Sequence, residues 1–112
     1  MPVPSRQLKE LIEGTVGHHA SRRWPALEEV TISWPGGFGY LTGHTGGDGE
    51  PAEQIRLCRI EYLGDDHRWA FAIYQASTES YADAVLLNGQ PIGHPNDALD
   101  RACTRYLADD TT

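Results

Sequence analysis

The chain is 112 residues long, enough for one domain and one hydrophobic core. Sixteen acidic against nine basic residues give a formal net charge of −7, which repels phosphate backbones over most of a surface and disfavours non-specific nucleic-acid binding. Apolar runs such as Ala84–Leu87 are far short of the ~20 residues a bilayer span needs, Met1–Arg6 lacks the apolar stretch of a secretory signal, and two cysteines read as free thiols in a reducing cytosol.

The first periodic segment runs from Ser5 to Arg23. Leu8, Leu11, Ile12, Val16, His19 and Ala20 recur at spacings of three and four and predict one face of a helix. Ser5 suits the N-cap, and Trp24-Pro25 ends the helix because a residue before proline avoids helical backbone. Gly14 and Gly17 each cost the helix roughly 1 kcal/mol against alanine, so packing must hold it. Val30, Ile32 and Trp34 alternate with Glu29, Thr31 and Ser33, the pattern of a half-buried strand. Pro35-Gly36-Gly37 turns the chain into a return strand, Phe38–Thr42. Gly43 to Pro51 has no apolar residue and predicts a loop. Ile55–Leu63 is a third strand with mixed alternation: Cys58, Ile60 and Tyr62 fall on one face, Ile55, Leu57 and Leu63 on the other. Gly64-Asp65-Asp66 is a turn. Trp69–Tyr74 is apolar on both faces, Trp69, Phe71 and Ile73 against Ala70, Ala72 and Tyr74, and predicts a central strand. Ser77–Ser80 is a turn, Tyr81–Leu87 a fifth strand, and Asn88-Gly89 another turn. Pro95, Asn96 and Asp97 suit the start of a last helix, whose apolar face is Leu99, Ala102, Cys103, Tyr106 and Leu107. Asp97, Arg101 and Arg105 line its outer side.

These elements predict an α+β domain over residues 1–112, in the order α-β-β-β-β-β-α. It is an antiparallel sheet of about five strands with an N-terminal and a C-terminal helix on one face. Residues 1–4 and 109–112 are expected as flexible ends and 43–53 as a flexible loop. The last helix is expected on the alanine face of the Trp69 strand, where small side chains leave it room.

The chemistry-bearing residues form no catalytic pattern. His18 and His19 have no histidine or carboxylate at the spacing a helical metal motif needs, and His44, His67 and His94 fall in separate turns. His19 is expected to pack partly under its helix and His94 to cap the last one. Cys103 lies on a helix's apolar face and Cys58 on a strand, so both read as core rather than as nucleophile or redox pair. The glycine-rich segment Gly43–Gly49 lacks the lysine and following helix of a phosphate-binding loop. Arg22-Arg23-Trp24 is the sharpest basic-aromatic cluster, either a binding patch or a staple from helix end to sheet. Asp65-Asp66 and Asp109-Asp110 point their carboxylates apart and suit turns and tails. No catalytic, cofactor-binding or metal-binding residue is assigned.

Five strings carry a resemblance: Arg56-Leu57-Cys58-Arg59-Ile60-x-Tyr62-x-Gly64, Trp69-x-Phe71-Ala72-Ile73-Tyr74-x-Ala76-Ser77, Tyr81-x-Asp83, Gly89-x-Pro91, and Asp97-Ala98-Leu99-Asp100-x-Ala102-Cys103-x-x-Tyr106-Leu107. Together with Trp24-Pro25-Ala26-Leu27 and Gly37-Phe38-Gly39-Tyr40, they make the chain look like small uncharacterised proteins of high-GC actinobacteria. That family has no established activity, so the resemblance implies no catalytic residues. A second likeness is topological. Three antiparallel strands followed by a helix resemble the arm-binding domain of tyrosine recombinases, which reads DNA with basic residues from its sheet. Here Arg56, Arg59 and Arg68 stand against Glu61, Asp65, Asp66, Glu79 and Asp83, a departure from that basic pattern.

The expected function is therefore a cytosolic protein-binding or regulatory module without catalytic activity. It would act through the exposed side of its sheet or the 43–53 loop on a protein partner or a second copy of itself. The alternative is a nucleic-acid-associated module, either a three-strand-plus-helix reader or an acidic mimic of DNA. A third class, a small enzyme, needs a His–Asp or Cys–His pair assembled from distant segments.

Overall fold

Ser5 fixes where the first helix begins: its hydroxyl accepts the Leu8 N–H at 3.1 Å, satisfying one of the free donors at a helix start. The computed structural model describes residues 2–46, 53–75, 77–86 and 89–106. Helix α1 spans Arg6–Arg23 and buries Leu8, Ile12, Val16 and Ala20, one side chain every four residues. Leu11, expected on this face, is 61% exposed, so the buried stripe is narrower than the spacing predicts. Trp24 closes the helix by donating its N–H to the Ala20 carbonyl at 2.8 Å. Of the four residues expected as a loose N-terminal end, Pro4 is buried.

Six strands follow: β1 Glu29–Ser33, β2 Phe38–Thr45, β3 Glu53–Asp65, β4 Arg68–Gln75, β5 Ser80–Asp83 and β6 Ile92–Gly93. They form one antiparallel sheet in the order β1-β2-β3-β4-β5, and β6 pairs with Trp69 and Ala70 farther along the edge of β4 that carries β5. Helix α2, Pro95–Tyr106, packs against β3 and β4 and beside α1. Two helices on one face of an antiparallel meander is the α+β arrangement the sequence predicts.

Several details differ from expectation. The predicted loop 43–53 is shorter at both ends, because Gly43–Thr45 extend β2 and Glu53 opens β3; residues 47–52 lie outside the described residues, as does the tail 109–112. Gly43 belongs in the strand because the chain after α1 packs on it: a Cβ there would stand 2.8 Å from Leu27 Cδ2. The fifth strand stops at Asp83, and Leu86 then closes a turn with Gln90 and Gly89 that delivers β6 to β4. The mixed alternation of β3 is a β-bulge. Leu41 pairs with Cys58 and Thr42 with Arg56, so Leu57 has no partner. Leu57 and Cys58 both turn inward and both are fully buried.

The core therefore lies between the helices and one sheet face. Leu41, Leu57, Cys58, Ile60, Trp69, Phe71 and Ile73 meet Val16, Leu99, Ala102 and Cys103. Fully burying a leucine such as Leu41 or Leu99 stabilises the fold by roughly 2 kcal/mol. This reverses one expectation: α2 covers the Trp69, Phe71 and Ile73 face of β4, not the alanine face. Large apolar side chains lose more by facing water than alanines do, so they take the helix-covered side.

Candidate functional site

The bulge at Leu57 builds the second face of the sheet. It turns two consecutive apolar side chains inward, so Arg56 and Arg59 share the helix-free side although they are three residues apart. In register with them stand Phe38, Tyr40 and Thr42 on β2, Ala70, Ala72 and Tyr74 on β4, and Tyr81 and Asp83 on β5. Alternation places Arg68 on this face as well.

The alanines make room for rings instead of a helix. Tyr40 and Tyr81 sit on strands three spacings apart, about 14 Å, yet their ring centroids are 5.1 Å apart. Both lean across the sheet, and Ala72 is buried with no helix above it. Tyr74 meets Tyr81 edge-on at 5.2 Å, and Phe38 lies 6.4 Å from Tyr40. Two guanidiniums stack on this platform: Arg59 lies 5.0 Å from the Phe38 ring and 5.7 Å from Tyr81, and Arg56 5.5 Å from Tyr74. Burial pushes the Tyr81 phenol above its ordinary pKa, with the Arg56 charge opposing the shift. Neither arginine has an ion-pair partner among the described residues, where the pairs are Arg6–Glu10 and His19–Asp100. A guanidinium held over rings has already lost part of its rotamer freedom, so it receives a carboxylate at a lower entropic cost. Beside Arg59 lies a shallow hollow of about 20 Å³, floored by Ala70 and Ala72 and flanked by Glu61 and Asp83.

A larger groove of about 820 Å³ runs along the outer side of α1, past Leu11, Gly14, His18, His19, Arg22 and Asn96. At its end a His–Asp pair is assembled across 81 residues: His19 Nε2–H donates to Asp100 Oδ1 at 2.8 Å. The Trp24 indole N–H donates to the same oxygen at 2.9 Å. A catalytic pair needs a nucleophile or substrate group on the other imidazole nitrogen. Among the described residues His19 bonds only Asp100, and the shared carboxylate ties α1 and the chain after it to α2. Trp24 is thus a staple to the second helix rather than to the sheet. Arg23 stacks on its ring at 5.1 Å, and Arg22 and Arg23 stay exposed at the helix end.

The other sequence candidates are dispersed. His44 lies on β2 and bonds the Thr31 hydroxyl at 2.9 Å. His94 Nδ1 accepts the Asn96 N–H at 3.1 Å and so caps α2. Burial holds its pKa below the ordinary histidine value, with Asp97 opposing and His67 and His19 adding to the shift. The His67 ring stacks near it, 6.3 Å away. Among the described residues no three His, Cys, Asp or Glu side chains are grouped to hold a metal ion. Cys58 and Cys103 are unbridged and fully buried. Burial raises both thiol pKa values, Cys103 to about 12 with the Asp100 charge adding to the rise. Asp65 accepts the His67 N–H at 2.8 Å and the Asp66 carbonyl accepts the Trp69 indole N–H at 2.9 Å, the turn roles expected of that pair.

Sequence reasoning missed the aromatic platform. The usable signal was the Arg56-Leu57-Cys58-Arg59 string: two arginines around an apolar pair fit one strand face only if a bulge lies between them. The chain matches no protein-family model, no curated protein and no solved structure with which it was compared. No described helix is long and apolar enough to cross a membrane.

Proposed function

We propose that this chain is a non-catalytic protein-binding module whose working surface is the helix-free face of its sheet. The observation that supports the reading is the pair of guanidiniums without ion-pair partners, Arg56 and Arg59, stacked on Phe38, Tyr74 and Tyr81. Arginine and tyrosine are the side chains that concentrate binding energy at protein interfaces, because they bury large area at low entropic cost. The thiols are unbridged and the proposed place of action is the cytosol.

The experiment is photo-crosslinking in the cells from which the sequence comes, with a photoreactive residue at Tyr40 or, as control, at Leu11 on the exposed side of α1. The reading expects a discrete protein adduct from Tyr40 and none from Leu11. Adducts from Leu11 alone would overturn it.

A second reading has one observation in its favour: Arg56, Arg59 and Arg68 share a face with four aromatic rings, the ingredients of a single-strand nucleic-acid platform. Against it stand Glu61 and Asp83 on that face and the net charge of −7. It expects a Tyr40 adduct that nuclease shortens, and binding that falls steeply with salt.

A further inference from the structure

The helix-free face carries a charge order that is complementary to itself, and we infer that its occupant is a second copy of this chain, packed face to face across a two-fold axis. The inference rests on the reading of that face as a protein-binding surface.

The argument starts from register. Phe38, Glu61 and Ala70 form one row across β2, β3 and β4, and Tyr40, Arg59 and Ala72 form the next. Rows two residues apart on one face are separated by about 7 Å. A two-fold axis in the plane of the contact, across the strands and midway between these rows, lays each strand antiparallel over its own copy. Arg59 of each chain then lies over Glu61 of the other, and the Phe38 position over the Tyr40 position. The Ala70 position lies over the Ala72 position, which the Tyr40 and Tyr81 rings already cover, so the copies meet through those rings at the ordinary sheet spacing of about 10 Å.

Each charge gains what it lacks alone. Arg59 has no ion-pair partner within its own chain among the described residues. The incoming guanidinium arrives beside the hollow flanked by Glu61 and Asp83 and floored by Ala70 and Ala72. The contact is isologous, so it closes at two copies and cannot propagate into a fibre. Four strand widths by six residues of β2 give a footprint of about 400 Å², which corresponds to roughly 1,000 Å² of accessible surface buried by both copies, the lower bound for a specific interface. The dimer is therefore expected to be reversible and concentration-dependent.

Charge reversal tests the inference on the intact chain. Arg59→Glu sets two carboxylates against each other at both contacts of the pair, and Glu61→Arg sets two guanidiniums against each other there. Like charges at a contact are strongly unfavourable, so each variant alone is expected to dimerise at least about tenfold more weakly in sedimentation equilibrium. Mixed in equal amounts, the two variants form a heterodimer in which each contact joins a carboxylate of one chain to a guanidinium of the other, so mixing is expected to restore dimerisation; a folded mixture that stays monomeric overturns the inference. The double variant carrying Arg59→Glu and Glu61→Arg restores opposite charges at both contacts and is expected to dimerise at wild-type concentration. Thermal unfolding of each variant establishes that it is folded, and Tyr40→Glu, which leaves Arg59 in place, is expected to weaken dimerisation as well. A wild-type chain that stays monomeric up to millimolar concentration, or a folded double variant that does not recover the dimer, overturns the inference. A Tyr40 adduct to a different protein alongside a monomeric chain overturns the second copy and leaves the binding face standing. Monomer together with no Tyr40 adduct overturns both.

Discussion

Replacing Asp100 by alanine removes the carboxylate oxygen that joins the end of α1 and the chain after it to α2. Asp100 Oδ1 accepts from His19 Nε2 at 2.8 Å and from Trp24 Nε1 at 2.9 Å. A hydrogen bond to a charged acceptor contributes about 1.5–3 kcal/mol when sheltered. The His19 and Asp100 side chains remain 28% and 20% exposed, so water recovers part of that loss. The expected cost of Asp100→Ala is about 2 kcal/mol, with the Trp24 indole N–H left unpaired. For a domain of this size that lowers Tm by about 8 °C. Trp24→Phe keeps an aromatic ring and removes the N–H, at about 1 kcal/mol. Because both variants delete the same bond, the double variant should fall short of the sum by about 1 kcal/mol, well outside the tolerance for independent sites. Urea unfolding of the four proteins measures the cycle. Additivity within about 0.3 kcal/mol would refute the claim that Asp100 is the tie between the helices.

Gly39→Ala places a Cβ 2.8 Å from Trp34 Cζ3 and 3.1 Å from Ile60 Cγ1, neither free to retreat, and should cost about 1–3 kcal/mol of unfolding free energy by chemical denaturation. His94 is held neutral by burial and uses its unprotonated Nδ1 to cap α2. Its folded pKa lies below the unfolded value of about 6.5, so its contribution is fully present above that pH. The contribution is lost as pH falls from there through the depressed folded pKa. Asp97, His67 and His19 set that folded value together with burial. His94→Asn, which caps without titrating in this range, should flatten the decline in Tm between about pH 7 and pH 5 relative to wild type. Cys58 and Cys103 should resist a thiol-specific reagent in the folded protein and react fully in denaturant, because burial keeps both protonated; rapid native labelling would contradict their core placement.

The elements themselves were legible because the chain punctuates clearly: Ser5, Pro25, Gly36 and Pro95 each sit where a helix or strand begins or ends. The faces were harder. Alternation divides β4 into Trp69-Phe71-Ile73 and Ala70-Ala72-Tyr74, yet period-two patterning does not say which side a helix covers. The answer lay in β3, where the Leu57 bulge hides the fact that Arg56 and Arg59 share a face. Once they do, that face cannot be the core. β6 escaped notice because two residues, Ile92 and Gly93, carry no periodicity. The Asp100 tie spans 81 residues, and a contact of that separation leaves no local trace in composition or spacing. The aromatic platform is of the same kind: Tyr40 and Tyr81 are ordinary in their own strands and meet only because Ala72 lies low between them.

The helix-free face is tested most directly by the photo-crosslink from Tyr40 against that from Leu11, repeated in a chain carrying Arg56→Ala and Arg59→Ala. If this face is the working surface, Tyr40 yields a single protein adduct, Leu11 yields none, and removing the two guanidiniums abolishes the Tyr40 adduct while the fold melts cooperatively as before. A Tyr40 adduct that survives the loss of both arginines, or one that arises only from the α1 groove, would contradict that assignment.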